Sequence, residues 1–332
     1  MDRPSIVIVT PALADANNGN WRTARRWADW LAPTCRVRLA ADWQAPGDGA
    51  LMIALHARRS AGAVAAWRAA HPRRPLLLVL TGTDLYRDIH SDAEAQASLT
   101  VADVLVVLNE LGARALPEAL RAKVRVILQS CPARQPIEHK PQRHLRALVV
   151  GHLRDEKDPR TVFAAVRALH GRRDLLVDHI GEALDPALGA EARQLMAECP
   201  SYRWLGPRPH AETRRRIQHA HVLLHPSRIE GGAHVVIEAV RSGTPVLASR
   251  IDGNLGLLGE GYPGTFEVGA GDELATHLAR CRDDPAWLRA LQVACARRSA
   301  RFEPAREAQA LGQVVERLLE AGTSQRPGPV SA

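Results

Sequence analysis

Leu76-Leu77-Leu78-Val79-Leu80 is an apolar run that ends at a polar loop, Thr81-Gly82-Thr83-Asp84. A strand that is apolar at every position is typical of a sheet that is covered on both faces. Further β-branched or leucine-rich runs occur at residues 6–10, 36–40, 50–55, 104–108 and 124–128, and helix-period segments lie between them, as at 21–31 and 61–70. Strands that alternate with helices in this way predict an α/β, doubly wound parallel sheet.

The same alternation starts again after a segment that lacks it. Residues 131–145 contain three prolines and little apolar sequence, which is typical of a linker. Strand runs then return at 147–150, 175–180, 202–205, 222–225 and 245–248. The sequence therefore predicts two doubly wound Rossmann-like domains facing a central cleft: an N-terminal domain at 1–130, the linker at 131–145, a C-terminal domain at 146–300, a helix at 301–322 that packs back towards the N-terminal domain, and a disordered tail at 323–332.

Composition excludes several functional classes. The net charge of +8 falls mainly in the N-terminal part, but aromatic residues are only 4% of the chain, which argues against a nucleic-acid partner and favours an anionic small substrate. The five cysteines are scattered without a CxxC pair, and we interpret them as reduced thiols. No secretory or bilayer-spanning run is present, so we expect a cytoplasmic protein without stable membrane association.

The segment from Glu230 to Pro245 carries the strongest chemical signal. Gly231 and Gly232 follow a strand and precede a helix, an arrangement that suits a diphosphate because glycine lets a ligand approach the main chain. Glu238 is suited to accept both hydroxyls of a ribose, and Glu230 is suited to accept sugar hydroxyls. An ordinary helix-turn-strand unit would explain residues 235–246, but it would not explain two carboxylates that bracket a glycine-rich helix start.

A second segment, Gly151 to Pro159, also joins a strand to a helix. Lys157 is a candidate for the diphosphate, and either His152 or Arg154 is a candidate for the second cation. No Asp-x-Asp motif stands at a strand end and no P-loop is present. The sequence therefore predicts a site without a metal or a cofactor, and activity that persists in excess chelator.

Three N-terminal loops also follow strands. The first contains Asn17-Asn18-Gly19-Asn20, the second is Leu55 to Ser60, and the third is Leu80 to Asp88. An ordinary polar turn explains the first equally well, and Asp84 in the third is alternatively a helix cap.

Glu230 and Glu238, with Ala-x-x-x-Gly-x-Pro-Val after them, resemble the donor signature of retaining GT-B glycosyltransferases of family four. The three N-terminal loops and Gly253-Asn254-Leu255-Gly256-Leu257-Leu258-Gly259 resemble one subgroup, the selenosugar synthases of selenoneine biosynthesis. The resemblance covers nearly the whole chain, from Ile6 to about Arg298. His234 departs from the pattern, which has a small polar residue there, and His152 holds the place of the usual arginine.

The resemblance implies a GT-B glycosyltransferase that joins selenophosphate to a UDP-sugar, either UDP-N-acetylglucosamine or UDP-glucose. Selenophosphate is already an anion, so its site needs cations more than a general base. Catalytic roles are expected for Lys157, Glu230 and His56. Donor contacts are expected from Gly19, His152, Arg154, Lys157, Glu230, Gly231, Gly232, Ala233 and Glu238. Acceptor contacts are expected from Asn18, Asn20, His56, Arg58, Arg59, Thr81, Thr83, Asp84 and Arg87.

Two other functions fit the same features. One is a glycosyltransferase of this fold that uses a hydroxyl of a lipid, glycan or small molecule as acceptor. The other, of a different class, is a UDP-sugar epimerase or a sugar-nucleotide-binding module. Release of UDP with each candidate acceptor separates these hypotheses.

Overall fold

A computed structural model describes residues 3–11 and 19–324. The chain forms two compact units. The first unit contains the chain up to Gln129 and again from Pro304, and the second unit is Ser130–Glu303.

The first unit is built on a parallel sheet of six strands in the order β2-β1-β3-β4-β5-β6. The strands are β1 (Ser5–Val9), β2 (Arg36–Ala40), β3 (Leu51–Leu55), β4 (Leu76–Leu80), β5 (Val104–Val107) and β6 (Val124–Val126). Its helices before Gln129 are α1 (Gly19–Leu31), α2 (Ala61–Ala70), α3 (Thr83–Tyr86), α4 (Ala93–Val101) and α5 (Glu118–Arg121), with short 3₁₀ turns at Asp88–His90 and Gly112–Ala115.

Alternate residues of these strands enter two separate apolar cores. Ile6 and Ile8 face a core that includes Trp27 of α1, whereas Val7 and Val9 face a core that includes Trp67 of α2. The sheet is therefore covered on both faces, as the uninterrupted apolar runs predict.

The second unit repeats this architecture with the strand order β12-β11-β10-β7-β8-β9, again all parallel. Its strands are β7 (Leu145–Val150), β8 (Leu175–Ile180), β9 (Tyr202–Gly206), β10 (Val222–His225), β11 (Val246–Ser249) and β12 (Thr265–Phe266). Its helices are α6 (Pro159–Ala168), α7 (Pro186–Glu198), α8 (His210–His219), α9 (His234–Val240), α10 (Asp252–Leu258), α11 (Gly271–Asp283) and α12 (Pro285–Ser299), with 3₁₀ turns at Asp155–Lys157 and Ala300–Phe302.

The strand order reverses between β7 and β10. From β7 the chain proceeds to β8 and β9 on one side, and from β10 it proceeds to β11 and β12 on the other. Loops that leave neighbouring strands in opposite directions form a crevice at the carboxyl end of the sheet, where ligands of such folds bind. In the first unit the same reversal lies between β1 and β3.

The last helix, α13 (Pro304–Ser324), belongs to the first unit. Leu311 and Val315 enter the core that contains Trp27. The buried Glu307 carboxylate accepts a hydrogen bond from Trp27 Nε1 at 2.8 Å and one from Arg26 Nη2 at 2.8 Å.

The segment between the two sheets has neither helix nor strand until β7 begins at Leu145. Its main chain is hydrogen-bonded within the second unit, since Arg134 N donates to Arg241 O at 2.9 Å. Of the tail predicted at 323–332, the first two positions complete α13 and the rest lies outside the described residues. Within the described ranges, no helix is both long and apolar enough to cross a membrane.

Candidate active site

The loops that follow β7 and β10 are tied together. Arg228 N donates to Glu156 O at 2.9 Å, and Arg228 Nη2 donates to Asp158 Oδ1 at 3.1 Å. The other oxygen of Asp158 accepts from Thr161 Oγ1 at 2.7 Å, and Asp158 itself is left-handed, with a φ of 45°. The two segments singled out in the sequence therefore meet at the point where the strand order reverses.

Lys157 and Glu230 form an ion pair between these loops. Lys157 Nζ donates to Glu230 Oε1, and His225 Nε2, at the end of β10, lies 3.2 Å from the same oxygen without the alignment of a hydrogen bond. The lysine stem runs past Gly151. Glu230 is thus paired with Lys157 of the loop after β7 and lies close to His225 at the end of β10.

These neighbours decide the charge of Glu230. Burial alone would raise the pKa of its carboxyl, but Lys157 and His225 outweigh burial and hold that pKa well below its usual range. Glu230 is therefore an ionised carboxylate that is paired with a lysine.

The main chain at Glu230 rests directly on α10. A Cβ at Gly253 would lie 1.9 Å from Glu230 O, so only glycine permits this approach. Asn254 Nδ2 donates to Ser249 O and Oγ, both at 3.0 Å, and Ser249 Oγ donates to Ser227 O. The contacts of Gly253 and Asn254 thus support the loop that carries Glu230.

Glu238, in α9, is buried among donors. His210 Nε2 lies 2.6 Å from Glu238 Oε1, His234 Nδ1 lies 3.2 Å from it, and Arg214 Nη1 lies 3.8 Å from it. Burial alone would raise the pKa of the Glu238 carboxyl, but the hydrogen bonds from the two histidines prevail and lower that pKa to about 2. Glu238 is therefore a fixed, ionised acceptor.

His152 and Arg154 both lie in the loop after β7. His152 Nδ1 accepts from Glu182 N at 3.1 Å, and burial together with the neighbouring Arg154 lowers the pKa of His152. His152 is consequently neutral near pH 7, and Arg154 is the cation of the two. Arg154 Nε lies 3.9 Å from Glu156 Oε2.

The glycines of the donor segment stand before the helix rather than in its first turn. Gly231, Gly232 and Ala233 precede α9, which begins at His234 and has seven residues. They lie in the chain between Glu230 and the helix that carries Glu238.

A buried histidine supports the loop after β7. His179 Nε2 lies 3.1 Å from Gly151 O, and its Nδ1 lies 3.0 Å from the Tyr202 hydroxyl. Burial lowers the pKa of His179 to about 4, so the ring is neutral, donates to Gly151 and accepts from Tyr202. This contact fixes the chain where the loop begins.

In the first unit, His56 directly follows β3 and has a φ of 74°, which is unusual for a residue other than glycine. Its Nδ1 accepts from Arg59 N at 3.3 Å, and its Nε2 lies 3.1 Å from Thr83 Oγ1. Burial is the main influence on the pKa of His56 and lowers it, so the ring is neutral.

These contacts set the tautomer of His56. Because Nδ1 accepts from a main-chain N–H, the single ring proton lies on Nε2 and is donated to the Thr83 hydroxyl. Both ring nitrogens are engaged, so His56 does not offer a lone pair for general-base catalysis. Instead, its Nε2–H donates to the Thr83 hydroxyl and orients that group.

Asp84 is a structural acceptor for the same loops. Its Oδ1 accepts from Thr81 N at 2.9 Å and Gly82 N at 2.8 Å, and its Oδ2 accepts from Ala57 N at 2.9 Å. Asp84 is fully buried, and these bonds join the loop after β3 to the loop after β4. Its carboxylate therefore faces main chain and shapes the site.

Asp88 organises the arginines. Arg58 Nε lies 3.2 Å from Asp88 Oδ2 and Arg87 Nε lies 3.1 Å from Asp88 Oδ1, while His56 Nε2 is 3.9 Å from Oδ2. Asp88 is buried, whereas both arginine side chains are almost half exposed. One buried carboxylate thus orients two partly exposed guanidinium groups beside Thr83.

Other predicted acceptor residues stand apart from these contacts. Arg59 is exposed and contributes its main-chain N–H to His56. Asn20 is the second residue of α1, directly after Gly19, which was predicted as a donor contact, and Asn18 lies outside the described residues. Across the parts of the chain that the structure describes, no three His, Cys, Asp or Glu side chains are grouped as a metal site would require.

Among the neighbours of these sites, the sequence did not assign Asp88, His210 or His225. Asp88 and His225 lie within segments that the sequence singles out, and His225 has the signal of a polar residue at the end of an apolar strand. His210 lies far along the chain from Glu238, and nothing in the local pattern indicates their contact.

Comparison with known proteins identifies the family. The profile described as "Glycosyl transferases group 1" matches residues 132–298, half of the chain and nearly all of the second unit. Among curated proteins, no sequence matches.

Solved structures share the fold across both units. A sucrose-phosphate synthase from Thermosynechococcus elongatus has a TM-score of 0.76 at 18% identity, covering 96% of this chain and 100% of its own. HepE from Anabaena in complex with UDP-glucose has a TM-score of 0.77 at 16% identity, covering 95% and 100%. A glycosyltransferase from Rickettsia africae has a TM-score of 0.71 at 12% identity, covering 96% and 100%. The predicted fold class is confirmed.

Proposed function

We propose that this chain, which belongs to the group 1 glycosyl transferases, forms a carbon–selenium bond between a UDP-sugar and selenophosphate in selenoneine biosynthesis. The selenium lone pair attacks the anomeric carbon, the bond from that carbon to the diphosphate oxygen breaks, and UDP leaves with the bonding electrons. Water then cleaves the selenium–phosphorus bond of the product to give a selenosugar and phosphate. The donor is UDP-N-acetylglucosamine or UDP-glucose.

The donor half of the proposal uses the second unit. Glu238 accepts the ribose hydroxyls, Glu230 accepts hydroxyls of the sugar, and Lys157 with Arg154 meets the negative charge that develops on the leaving diphosphate. Gly231, Gly232 and Ala233 allow the diphosphate to approach the main chain. HepE, which shares this fold, was solved with UDP-glucose bound.

The acceptor half depends on one observation: His56 has no lone pair to offer, while two arginines and a directed hydroxyl stand beside it. An alcohol acceptor has a high pKa, so its attack benefits from a general base. Selenophosphate is already an anion and a soft nucleophile, so it does not need that base. Oriented cations, beside a histidine whose two ring nitrogens are already engaged, therefore suit selenophosphate. The resemblance of the loops after β3 and β4 to selenosugar synthases supports the same acceptor.

The test is the identity of the product. We expect UDP release from UDP-N-acetylglucosamine or UDP-glucose only when selenophosphate is present, with a selenosugar detected by mass spectrometry. Simple alcohols and glycans should yield little product. Efficient glycosylation of a hydroxyl without selenophosphate would indicate the alternative glycosyltransferase, an epimerised UDP-sugar would indicate an epimerase, and binding without turnover would indicate a sugar-nucleotide-binding module.

Arg58 and Arg59 give a matched pair for the acceptor site. We expect Arg58→Ala to raise the KM for selenophosphate about tenfold, because an anion loses a charge-assisted contact, and to leave the KM for the UDP-sugar unchanged. Arg59→Ala should raise the acceptor KM less, because the Arg58 side chain is oriented by Asp88, whereas Arg59 contributes its main-chain N–H to His56, which alanine keeps. Equal increases in the donor and acceptor KM for Arg58→Ala would contradict its assignment.

A further inference from the structure

His234 stands where the family pattern has a small polar residue, and the structure shows what its ring contacts. Nδ1 lies 3.2 Å from Glu238 Oε1, one helical turn away, and Nε2 lies 3.1 Å from Ser130 O. Ser130 is the first residue of the second unit. The ring therefore spans the distance between a side-chain carboxylate and the main chain.

Both neighbours of the ring are acceptors. A carboxylate oxygen and a carbonyl oxygen both accept hydrogen bonds, so each ring nitrogen faces an acceptor. A ring placed between two acceptors is held in orientation, and it restricts the carboxylate that it contacts. Such a contact fixes the orientation of a side chain that binds a ligand.

His210 contacts the same oxygen in a different way. Its Nε2 lies 2.6 Å from Glu238 Oε1, but its side chain is 46% exposed, compared with 25% for His234. Arg214 Nη1 is more distant from that oxygen, at 3.8 Å. Of the two histidines, His234 is the one with a main-chain anchor.

We propose that His234 is a positioning residue that fixes the Glu238 carboxylate for the ribose of the donor nucleotide. The proposal rests on the donor site of the proposed function. A carboxylate that accepts hydrogen bonds from two neighbouring hydroxyls must hold one orientation. Binding is weaker when that orientation is fixed only as the ligand binds, because the lost conformational freedom costs free energy. His234 supplies this order before the nucleotide binds.

The experiment measures Kd by calorimetry for UDP and for 2′-deoxy-UDP, which lacks one of the two ribose hydroxyls. In His234→Leu we expect the Kd of UDP to rise about tenfold and the Kd of 2′-deoxy-UDP about threefold, so that the preference for UDP shrinks. His234→Gln keeps an amide donor for one of the two acceptors and should recover part of the affinity. It also provides a folded variant if the leucine disturbs the helix.

A double variant tests whether His234 acts through Glu238. Glu238→Ala should bind UDP weakly, and adding His234→Leu to it should cause no further loss. His221 serves as the control, because both of its ring nitrogens are likewise engaged, but only by the main-chain groups Arg146 N and Pro141 O, both at 3.0 Å. His221→Leu should leave the ratio of the two Kd values unchanged.

Three outcomes would overturn the proposal. Equal weakening of UDP and 2′-deoxy-UDP in His234→Leu would show that His234 does not act on the ribose. Additive losses in the double variant would show that it does not act through Glu238. Unchanged UDP affinity in Glu238→Ala would refute the donor site itself, and the role of His234 with it.

Discussion

Lys157→Met is expected to lower turnover about a hundredfold and to destabilise the second unit by about 3 kcal/mol. Methionine keeps an apolar stem past Gly151 but removes the charge that pairs with Glu230. The leaving diphosphate then loses a cation, and the buried Glu230 carboxylate loses its main partner. Turnover is measured as UDP release, and stability is measured by urea unfolding.

The pH dependence separates these two effects. In the wild type the pKa of Glu230 is lowered, so its contribution to stability is present above the ordinary carboxyl value of 4.5 and is lost as the pH falls. The stability deficit of Lys157→Met should therefore be largest near pH 7 and shrink below about pH 4.5. In Lys157→Met/Glu230→Gln most of the lost stability should return but turnover should not. A constant deficit across pH would argue against the ion pair.

Gly253→Ala is expected to cost about 1–3 kcal/mol of stability and to lower turnover about a hundredfold. The added Cβ would lie 1.9 Å from Glu230 O. This oxygen belongs to the main chain, so the clash is not relieved by a change of side-chain rotamer. The loop that carries Glu230 must move, and a small displacement of a contact to the sugar has a large effect on rate. Urea unfolding and UDP release measure the two effects.

Gly312→Ala is the matched control. Gly312 lies within α13, and a Cβ there meets nothing within 4 Å. Alanine at an open helical position should stabilise the protein by about 0.5–1 kcal/mol and leave turnover unchanged. If the Gly253→Ala enzyme keeps full activity, the close approach of Gly253 to Glu230 O does not determine the position of the Glu230 loop.

The sheets could be predicted because their signal is local. Each predicted strand run became a strand of one of the two sheets, and the ranges 36–40, 76–80 and 175–180 agree with the structure at both ends. The predicted helix at 61–70 also agrees with α2. The two-residue strand β12 and the helix α10 were not predicted, because a strand that short has no period and α10 contains two glycines.

The meeting of the two segments of the candidate donor site could be predicted because parallel strands bring their carboxyl ends to one edge. Lys157 and Glu230 were identified in separate loops, and the pairing of β7 with β10 places those loops side by side. Glu238 was identified from its spacing to Glu230. Its histidine partners were not, because the contact of His210 with Glu238 depends on how α8 lies against α9.

The acceptor loops show a different limit of sequence reasoning. The arginines indicated a cationic cluster, and the structure adds Asp88, which offsets part of that charge and orients Arg58 and Arg87. His56 was interpreted as a catalytic residue from its place at a strand end. Whether a ring nitrogen has a free lone pair depends on contacts with Arg59 and Thr83, which the sequence does not specify.

The return of α13 to the first unit has a consequence for synthesis on the ribosome. Trp27 and its partner Glu307 are separated by 280 positions, so the buried acceptor of the indole is translated only after the whole second unit. The first sheet is complete at β6 and α13 begins at Pro304, so at about 5–20 residues per second the sheet waits roughly 10–35 s for the helix that covers one of its faces. The second unit has emerged entirely by then. Translation therefore leaves the earlier half of the polypeptide exposed to chaperones and proteases for longer than the later half.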